Sequence, residues 1–231
     1  MSLRAEEWAS GTFLGGLSAV ARGELLAVAA RRAFGPGRQL IREGAAAAHV
    51  VLLLGGFAKI TTVLEGFETL LGLRLPGEVI GETGALTGQP RNATVTACGR
   101  VVAGVVSRAD FEAFLRRRPE AATLVMASVA RQLNWADRRR ADFAVFPAHI
   151  RLARLLSEIA DVCAVARPDG AVDLAVPLSQ PELAAMIGIA PATMHKAVAD
   201  LRARNLISTG YRRVSVLDPA ALRTLAAGRT D

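Results

Sequence analysis

The chain has 231 residues, enough for one large domain or two modest ones, and two is the better expectation. Its net charge of +7 and isoelectric point near 10.8, owed mostly to arginine, favour a polyanionic partner such as nucleic acid over a basic or neutral one. Cys98 and Cys163 are too few and too far apart to be read as a disulfide framework or a cysteine metal cluster, which excludes the disulfide-scaffold class and fits a reducing cytoplasm.

The N-terminal stretch "MSLRAEEWASGTFLGGL" carries acids early and has no basic region leading into an apolar run, so a secretory signal is not expected. The most apolar run, "AAAAHVVLLLGGFA", is interrupted by His49, Gly55 and Gly56 and falls short of the roughly 18 apolar residues of a membrane span. It reads as a buried strand, and no membrane partner is expected. From about Phe34 to Ser107, short β-prone runs alternate with glycine and proline: "RQLIREG", "HVVLLLGGFAKITTV", "FETLLGLRLPGE", "ATVTACG" and "RVVAGVVS". Evenly spaced short strands with turn signals predict an all-β roll or barrel.

After Ser107 the pattern changes. "SRADFEAFLRRRP" predicts a short helix ending at Pro119, and the absence of proline and glycine from there to Pro147 leaves room for one long helix. Within it Met126, Val129, Leu133, Ala136 and Phe143 recur at gaps of three and four, with Arg140 in the one missing place. A narrow seam at heptad spacing suits a helix pairing with its own copy; the alternative is an amphipathic helix lying on its own domain. Pro147 pushes the residue before it away from helical geometry and places a domain boundary there. Beyond it come a helix to about Val165, a turn at "RPDGA", a short strand "VDLAV" and two close helical segments. A strand pair in "NLISTGYRRVSVLD" follows, with its turn expected near Thr209 and Gly210, and a last helix has Asp218 as N-cap and Pro219 in its first turn.

The two close helices lie in "PLSQPELAAMIGIAPATMHKAVADLRARNLI". Ser179 caps the first, Pro181 and Glu182 suit its first turn, and Gly188 ends it. The second begins at Pro191 and turns Met194, Val198, Leu201 and Leu206 inward, leaving Ala192, Thr193, His195, Lys196 and Arg202 on other faces. Two helices about 90 to 120° apart across a short glycine-containing turn make a helix-turn-helix. The basic strand pair with Arg212 and Arg213 makes it a winged one; the alternative is an ordinary small helical bundle. The second helix would enter a DNA major groove while the wing and the first helix's N-terminus touch phosphates. Lys196 suits a guanine edge or a phosphate, Ala192 a thymine methyl, and Thr193 and Ser179 phosphates; His195 reads equally as reader or bystander.

In "PGEVIGETGALTGQPRNATV", Glu82 and Arg91 stand nine residues apart among four glycines. A carboxylate accepts from hydroxyls and a guanidinium fork matches phosphate, so the pair suits a sugar phosphate, with glycines letting backbone amides approach the anion. The competing reading is a surface ion pair of little energetic weight.

Taken together, "GE" at Gly81 and Glu82, "PRNA" from Pro90 to Ala93, the glycine-rich roll, the long pairing helix and the winged helix-turn-helix resemble the CRP/FNR superfamily of bacterial transcription regulators, from about residue 10 to the end. The resemblance implies an α+β chain. An N-terminal cyclic-nucleotide-binding β-roll of jelly-roll type would span 1–118, a long dimerisation helix and hinge 119–146, and a C-terminal winged helix-turn-helix 147–231. It implies a cytoplasmic homodimer that binds double-stranded DNA and is not an enzyme, and it adds RNA polymerase to the candidate partners.

In that family the glutamate binds the ribose 2′-hydroxyl, and the arginine with the residue after it binds the cyclic phosphate. Glu82 and Arg91 match; Asn92 stands where cyclic AMP binders usually have serine or threonine. Gly81, Thr83 and Ala93 complete this part of the candidate pocket. Aligned through "VARQL", the family's adenine-contacting pair corresponds to Ala136 and Asp137; alanine loses the hydroxyl, and aspartate favours a donor-rich edge such as guanine's. The ligand expected is therefore cyclic AMP or cyclic GMP. On the DNA-reading helix the family's frequent arginine, glutamate and arginine positions are Pro191, Ala192 and Lys196, so its target sequence does not carry over. Ser179 and Thr193 match its phosphate contacts, and Gln180, beside the first of them, is a further candidate DNA contact.

The main competitor is a regulator of the same family with a repurposed or vestigial pocket, suggested by Ala136 and Asp137. An iron–sulfur sensor needs a cysteine cluster, and a haem sensor needs axial ligands where His49, His149 and His195 are scattered; His49 reads as an ordinary roll residue. No metal, haem or iron–sulfur cluster is expected. A cyclic-nucleotide-regulated enzyme subunit is the rival from another class, but nothing resembles a nucleophile with a positioned base. If the long helix is the pairing element, truncation before Pro119 leaves a monomer in sedimentation equilibrium, and a dimeric truncated roll overturns that assignment.

Overall fold

Alternation of apolar side chains along the first half of the chain produces two four-stranded antiparallel sheets in the computed structural model, which describes residues 8–228. The first seven residues of the N-terminal stretch read above lie outside the described residues. Two short helices, α1 (Phe13–Gly16) and α2 (Ala19–Ala27), precede the roll; neither was expected, although Thr12 and Ser18 cap them with their hydroxyls. The roll consists of β1 (Ala30–Phe34), β2 (Gln39–Ile41), β3 (His49–Gly55), β4 (Ala58–Leu64), β5 (Phe67–Arg74), β6 (Val79–Ile80), α3 (Glu82–Thr87), β7 (Thr94–Ala97) and β8 (Val101–Ser107). One sheet has the order β1-β8-β3-β6 and the other β2-β7-β4-β5. β1 and β6 were not anticipated, because β1 is mostly exposed and β6 has only two residues, so neither shows a usable alternation.

β3 explains its own composition. Successive side chains of a strand point to opposite faces, so Val50, Leu52 and Leu54 enter a cluster with Phe13, Leu25, Phe111, Phe114 and Val125. Val51 and Leu53 enter the roll interior with Ile60, Ile80 and Val95. A strand covered on both faces needs an unbroken apolar run.

α4 (Arg108–Arg117) follows, capped by Ser107, and α5 (Pro119–Val145) is the expected long helix. Arg118, between them, pairs with Glu24 of α2. The chain divides into two compact units between Asn134 and Trp135, within α5. On the first unit's part of α5, Met126 and Leu133 are 72% and 59% exposed and Val129 is 40% exposed, so most of the seam is uncovered in the single chain.

The second unit contains α6 (Ala148–Cys163), β9 (Ala164–Ala166), β10 (Val172–Leu174), α7 (Gln180–Ile187), α8 (Pro191–Ala203), β11 (Ile207–Gly210), β12 (Arg213–Val216) and α9 (Pro219–Ala226), with sheet order β11-β12-β10-β9. α6 ends at Cys163 and the chain passes directly into β9, a strand the sequence reading ran together with the helix. Burial pushes the Cys163 thiol up to about 11, as suits a core thiol. The hairpin turn falls at Tyr211 and Arg212, not at Thr209 and Gly210: the register pairs Gly210 with Arg213, leaving a two-residue loop. Leu206 is buried but lies beyond the end of α8.

The last three turns of α5 are tied to this unit. Trp135 Nε1 donates to Glu158 Oε2 at 2.9 Å, and Arg139 donates to the same oxygen at 2.5 Å while lying over the Trp135 ring at 4.9 Å. Asp142 accepts from Arg154 at 3.0 Å, and Arg154 also donates to the Ala226 carbonyl at 3.0 Å. Phe143, placed on the seam by its spacing, is 41% exposed; its ring lies 5.4 Å from the Arg151 guanidinium and fills the space a Cβ at Gly188 would need. Burial lowers the Arg139 guanidinium, opposed by Glu158 and Asp142. Glu158→Ala leaves that buried charge without its main partner and is expected to lower the second unit's stability by about 2–3 kcal/mol. Urea unfolding followed by indole fluorescence measures it; an unshifted midpoint refutes it, and Arg139→Met combined with Glu158→Leu should recover part of the loss.

Candidate functional site

Antiparallel pairing of β3 with β6 brings Leu52 opposite Val79 and Val51 opposite Ile80, which delivers the chain to Gly81 at the roll's interior edge. Gly81 has φ 81°, and a Cβ there would lie 2.5 Å from Arg91 Nη1 and 2.8 Å from the Ile41 side chain. Only glycine meets both demands, the left-handed backbone and the close approach. α3 begins at the next residue with Glu82, which is 5% exposed. Thr83 donates its hydroxyl to Glu82 Oε1 at 3.2 Å.

Arg91 is 4% exposed and held from every side. Nη1 donates to the Gly81 carbonyl at 2.6 Å, and Nη2 donates to the His49 carbonyl. Its backbone N–H donates to Ala45, and its carbonyl accepts from Gly44 N. Burial lowers the guanidinium, with the Glu82 carboxylate acting in the opposite sense. Burial also lowers His49, helped by the positive charges of Arg91 and then Arg32, so its imidazole favours the neutral form. Asn92 is exposed, whereas Ala93 is buried in the roll core. Gly81, Glu82 and Arg91 are therefore brought together as a buried acid and base around one tight backbone turn, which excludes the surface ion pair. Of the remaining pocket candidates, Ala136 is half-buried on α5, and Asp137 is exposed with a carboxylate 3.4 Å from Arg140, three residues on. Both belong to the second unit.

In the second unit Gly188, at φ 62°, closes α7 and turns the chain into α8, which starts with Pro191. Met194, Ala197, Val198 and Leu201 face inward, and Ala192, Thr193, His195 and Lys196 are all exposed. Ser179 and Glu182 form a capping box. The Ser179 hydroxyl donates to Glu182 Oε2 at 2.8 Å, the Ser179 N–H donates to the same oxygen at 2.7 Å, and the hydroxyl accepts from Glu182 N. The hydroxyl hydrogen proposed for a phosphate is thus engaged within the helix cap. Gln180 faces a cavity behind the hairpin.

The wing arginines also have internal acids. Arg212 lies 3.7 Å from Glu182 and Arg213 3.8 Å from Asp173, and Asp173 in turn accepts from Ser215 at 2.6 Å. Arg212 adopts φ 52° in the loop, and Tyr211 beside it is 93% exposed. The sequence reading missed Tyr211 as the wing tip; pairing the buried Ile207 with the buried Val216 across the hairpin centres the turn two residues later than expected.

Residues 31–118 match the family described as "Cyclic nucleotide-binding domain", and residues 150–225 match "Crp-like helix-turn-helix domain". The transcriptional regulator LdrP of Thermus thermophilus is 35% identical over 150 residues, 64% of this chain and 71% of that protein. A CRP-like cAMP-activated global transcriptional regulator of Mycobacterium tuberculosis is 26% identical over 190 residues, 82% of this chain and 84% of that protein. A crystal structure of a CRP-family transcriptional regulator from Thermus thermophilus superposes with a TM-score of 0.70 at 28% identity, covering 85% of this chain and 96% of the other. Gly81→Ala forces a Cβ into Arg91 from a left-handed backbone and is expected to cost about 1–3 kcal/mol. Thermal unfolding of the variant measures this; an unchanged midpoint would show that the turn tolerates a side chain.

Proposed function

Since the chain belongs to the CRP/FNR superfamily, a family of transcription regulators and not of enzymes, we propose that it is a cytoplasmic homodimer whose affinity for double-stranded DNA is set by a cyclic nucleotide held in the N-terminal roll. The observation that carries this reading is the burial of both Glu82 and Arg91 beside the Gly81 turn, with the Glu82 carboxylate acting electrostatically on the Arg91 guanidinium. Buried charge is expensive and needs a structural or functional return. A ribose cyclic phosphate presents a hydroxyl beside an anion, which is the chemistry this pair complements: Glu82 accepts from the 2′-hydroxyl, and Arg91 faces the phosphate. Arg91 uses one N–H on each of two carbonyls, and a guanidinium has five donors.

Ligand binding then acts by differential affinity for two arrangements of the DNA-reading helices, and it shifts the equilibrium by no more than that difference. On the DNA, Ala192, Thr193, His195 and Lys196 form the exposed face of α8, with Arg212 and Arg213 on the wing exchanging their carboxylate partners for phosphates. A second reading, a pocket serving another effector or none, is favoured by the Arg91 guanidinium already being held by two carbonyls.

Calorimetric titration with cyclic AMP and separately with cyclic GMP tests the switch. Saturable binding of either, lost in Arg91→Ala while the fold persists, is the expected result; silence with both leaves the second reading. Lys196→Ala is expected to weaken duplex binding and, if Lys196 meets a phosphate, to reduce the slope of log affinity against log salt by about 1. An unaltered titration would place the DNA on another face.

A further inference from the structure

The wing hairpin is fixed to the end of α8. The Leu206 N–H donates to the Leu201 carbonyl at 3.0 Å, and the Leu217 N–H donates to the Leu206 carbonyl at 2.8 Å, so the base of β11 and β12 continues from the last turn of the helix. The four residues of β11 then carry the chain about 13 Å outward. Where a helix such as α8 lies in a major groove, the neighbouring minor groove is half a helical turn away, about 17 Å along the duplex. The hairpin has the reach to bring its tip there.

The tip departs from the composition of an ordinary two-residue loop, which favours glycine, asparagine and aspartate. Here the loop is Tyr211 and Arg212. Arg212 holds a left-handed backbone at φ 52°, and its guanidinium lies back within 3.7 Å of Glu182. Arg213, the first residue of β12, lies back within 3.8 Å of Asp173. Their side chains are 48% and 71% exposed, whereas Tyr211 is 93% exposed. The group the wing presents most fully is therefore an uncharged ring, with both guanidiniums drawn toward carboxylates.

A neutral phenol gains little from phosphates that two adjacent guanidiniums can take, but it joins an apolar body to one hydroxyl donor. A minor groove is about 6 Å wide, against about 10–12 Å for a helix with its side chains, so it admits single side chains. Its floor carries the acceptors adenine N3 and thymine O2, and a G·C pair adds the guanine N2 amino group. We propose that Tyr211 enters the minor groove beside the stretch faced by α8, its ring between the sugar walls and its hydroxyl donating to adenine N3 or thymine O2. The wing then selects A·T pairs about five base pairs, half a turn, from the contacts of α8, while Arg212 and Arg213 face the phosphates of the rim. This inference rests on the DNA reading above and adds to it a sequence preference that α8 does not supply.

The full chain, with cyclic AMP, with cyclic GMP and with neither, is used to select duplexes from a random-sequence library. The retained site is then remade with its flanking A·T pairs exchanged for G·C or for inosine·cytosine, which has the major-groove pattern of G·C but no amino group in the minor groove. Fluorescence anisotropy of the labelled duplexes is expected to show about ten-fold weaker binding with G·C flanks and recovery with inosine·cytosine. Tyr211→Ala should weaken the A·T-flanked duplex about ten-fold and make the three flanks equal. It should leave the thermal midpoint and the slope of log affinity against log salt unchanged, since no packing and no charge is lost. Arg213→Ala should instead reduce that slope by about 1 and keep the flank preference. Retained sites without A·T flanks, inosine·cytosine behaving as G·C, or a flank preference that survives Tyr211→Ala overturns the inference while leaving DNA binding intact. Retention of no duplex at all sinks the DNA reading itself, and this inference with it.

Discussion

The N-terminal unit depends on β3 being buried on both faces. Its alternate side chains hold together two clusters, one with the helices and one inside the roll, and its backbone fixes what happens at the site. The Leu53 N–H donates to Glu78, and the Leu53 carbonyl accepts from Gly77 N, which sets the register that carries β6 into Gly81. The carbonyl of His49, at the start of the same strand, takes one N–H of Arg91. One strand therefore positions the turn, the acid that follows it and the base that packs against it. A shift of one residue would exchange the two faces and dismantle all three.

The second unit is organised by charge as much as by apolar burial. Arg139, Arg151 and Arg154 each combine a ring contact with a hydrogen bond to a carboxylate or a carbonyl, and they join the end of α5 to α6, α7 and α9. Arginine suits this because a planar, weakly hydrated guanidinium can stack and donate at once. Part of the arginine that makes the chain basic is thus structural. The high isoelectric point points toward a polyanion, yet it does not by itself mark the face that would meet one.

The same economy shows at the wing. Arg212 and Arg213 stand near Glu182 and Asp173, and Glu182 also closes the cap of α7. A phosphate approaching the wing would compete with carboxylates for both guanidiniums, so the net gain from each contact is smaller than for an unengaged arginine. The cap, the wing loop and the cavity behind them share residues.

Local chemistry made a large part of this readable in advance. The long helix followed from the absence of breakers between Pro119 and Pro147, the helix-turn-helix from a cap, a left-handed glycine and helical spacing, and the candidate site from Glu82 and Arg91 among glycines. These signals are carried by neighbouring residues, and a single chain suffices to express them. β1 and β6 could not be read because edge exposure or brevity removes their alternation, and the hairpin was misplaced because strand register is set by the partner strand. The burial of Arg91 between two carbonyls, the packing of Phe143 against Gly188 and the unpaired oxygen of Gln180 were decided only by tertiary packing. Each depends on groups distant in sequence arriving at one place. The chain's local patterns specify which elements form, whereas desolvation and partnership, which set the chemistry of a side chain, exist only once those elements have packed.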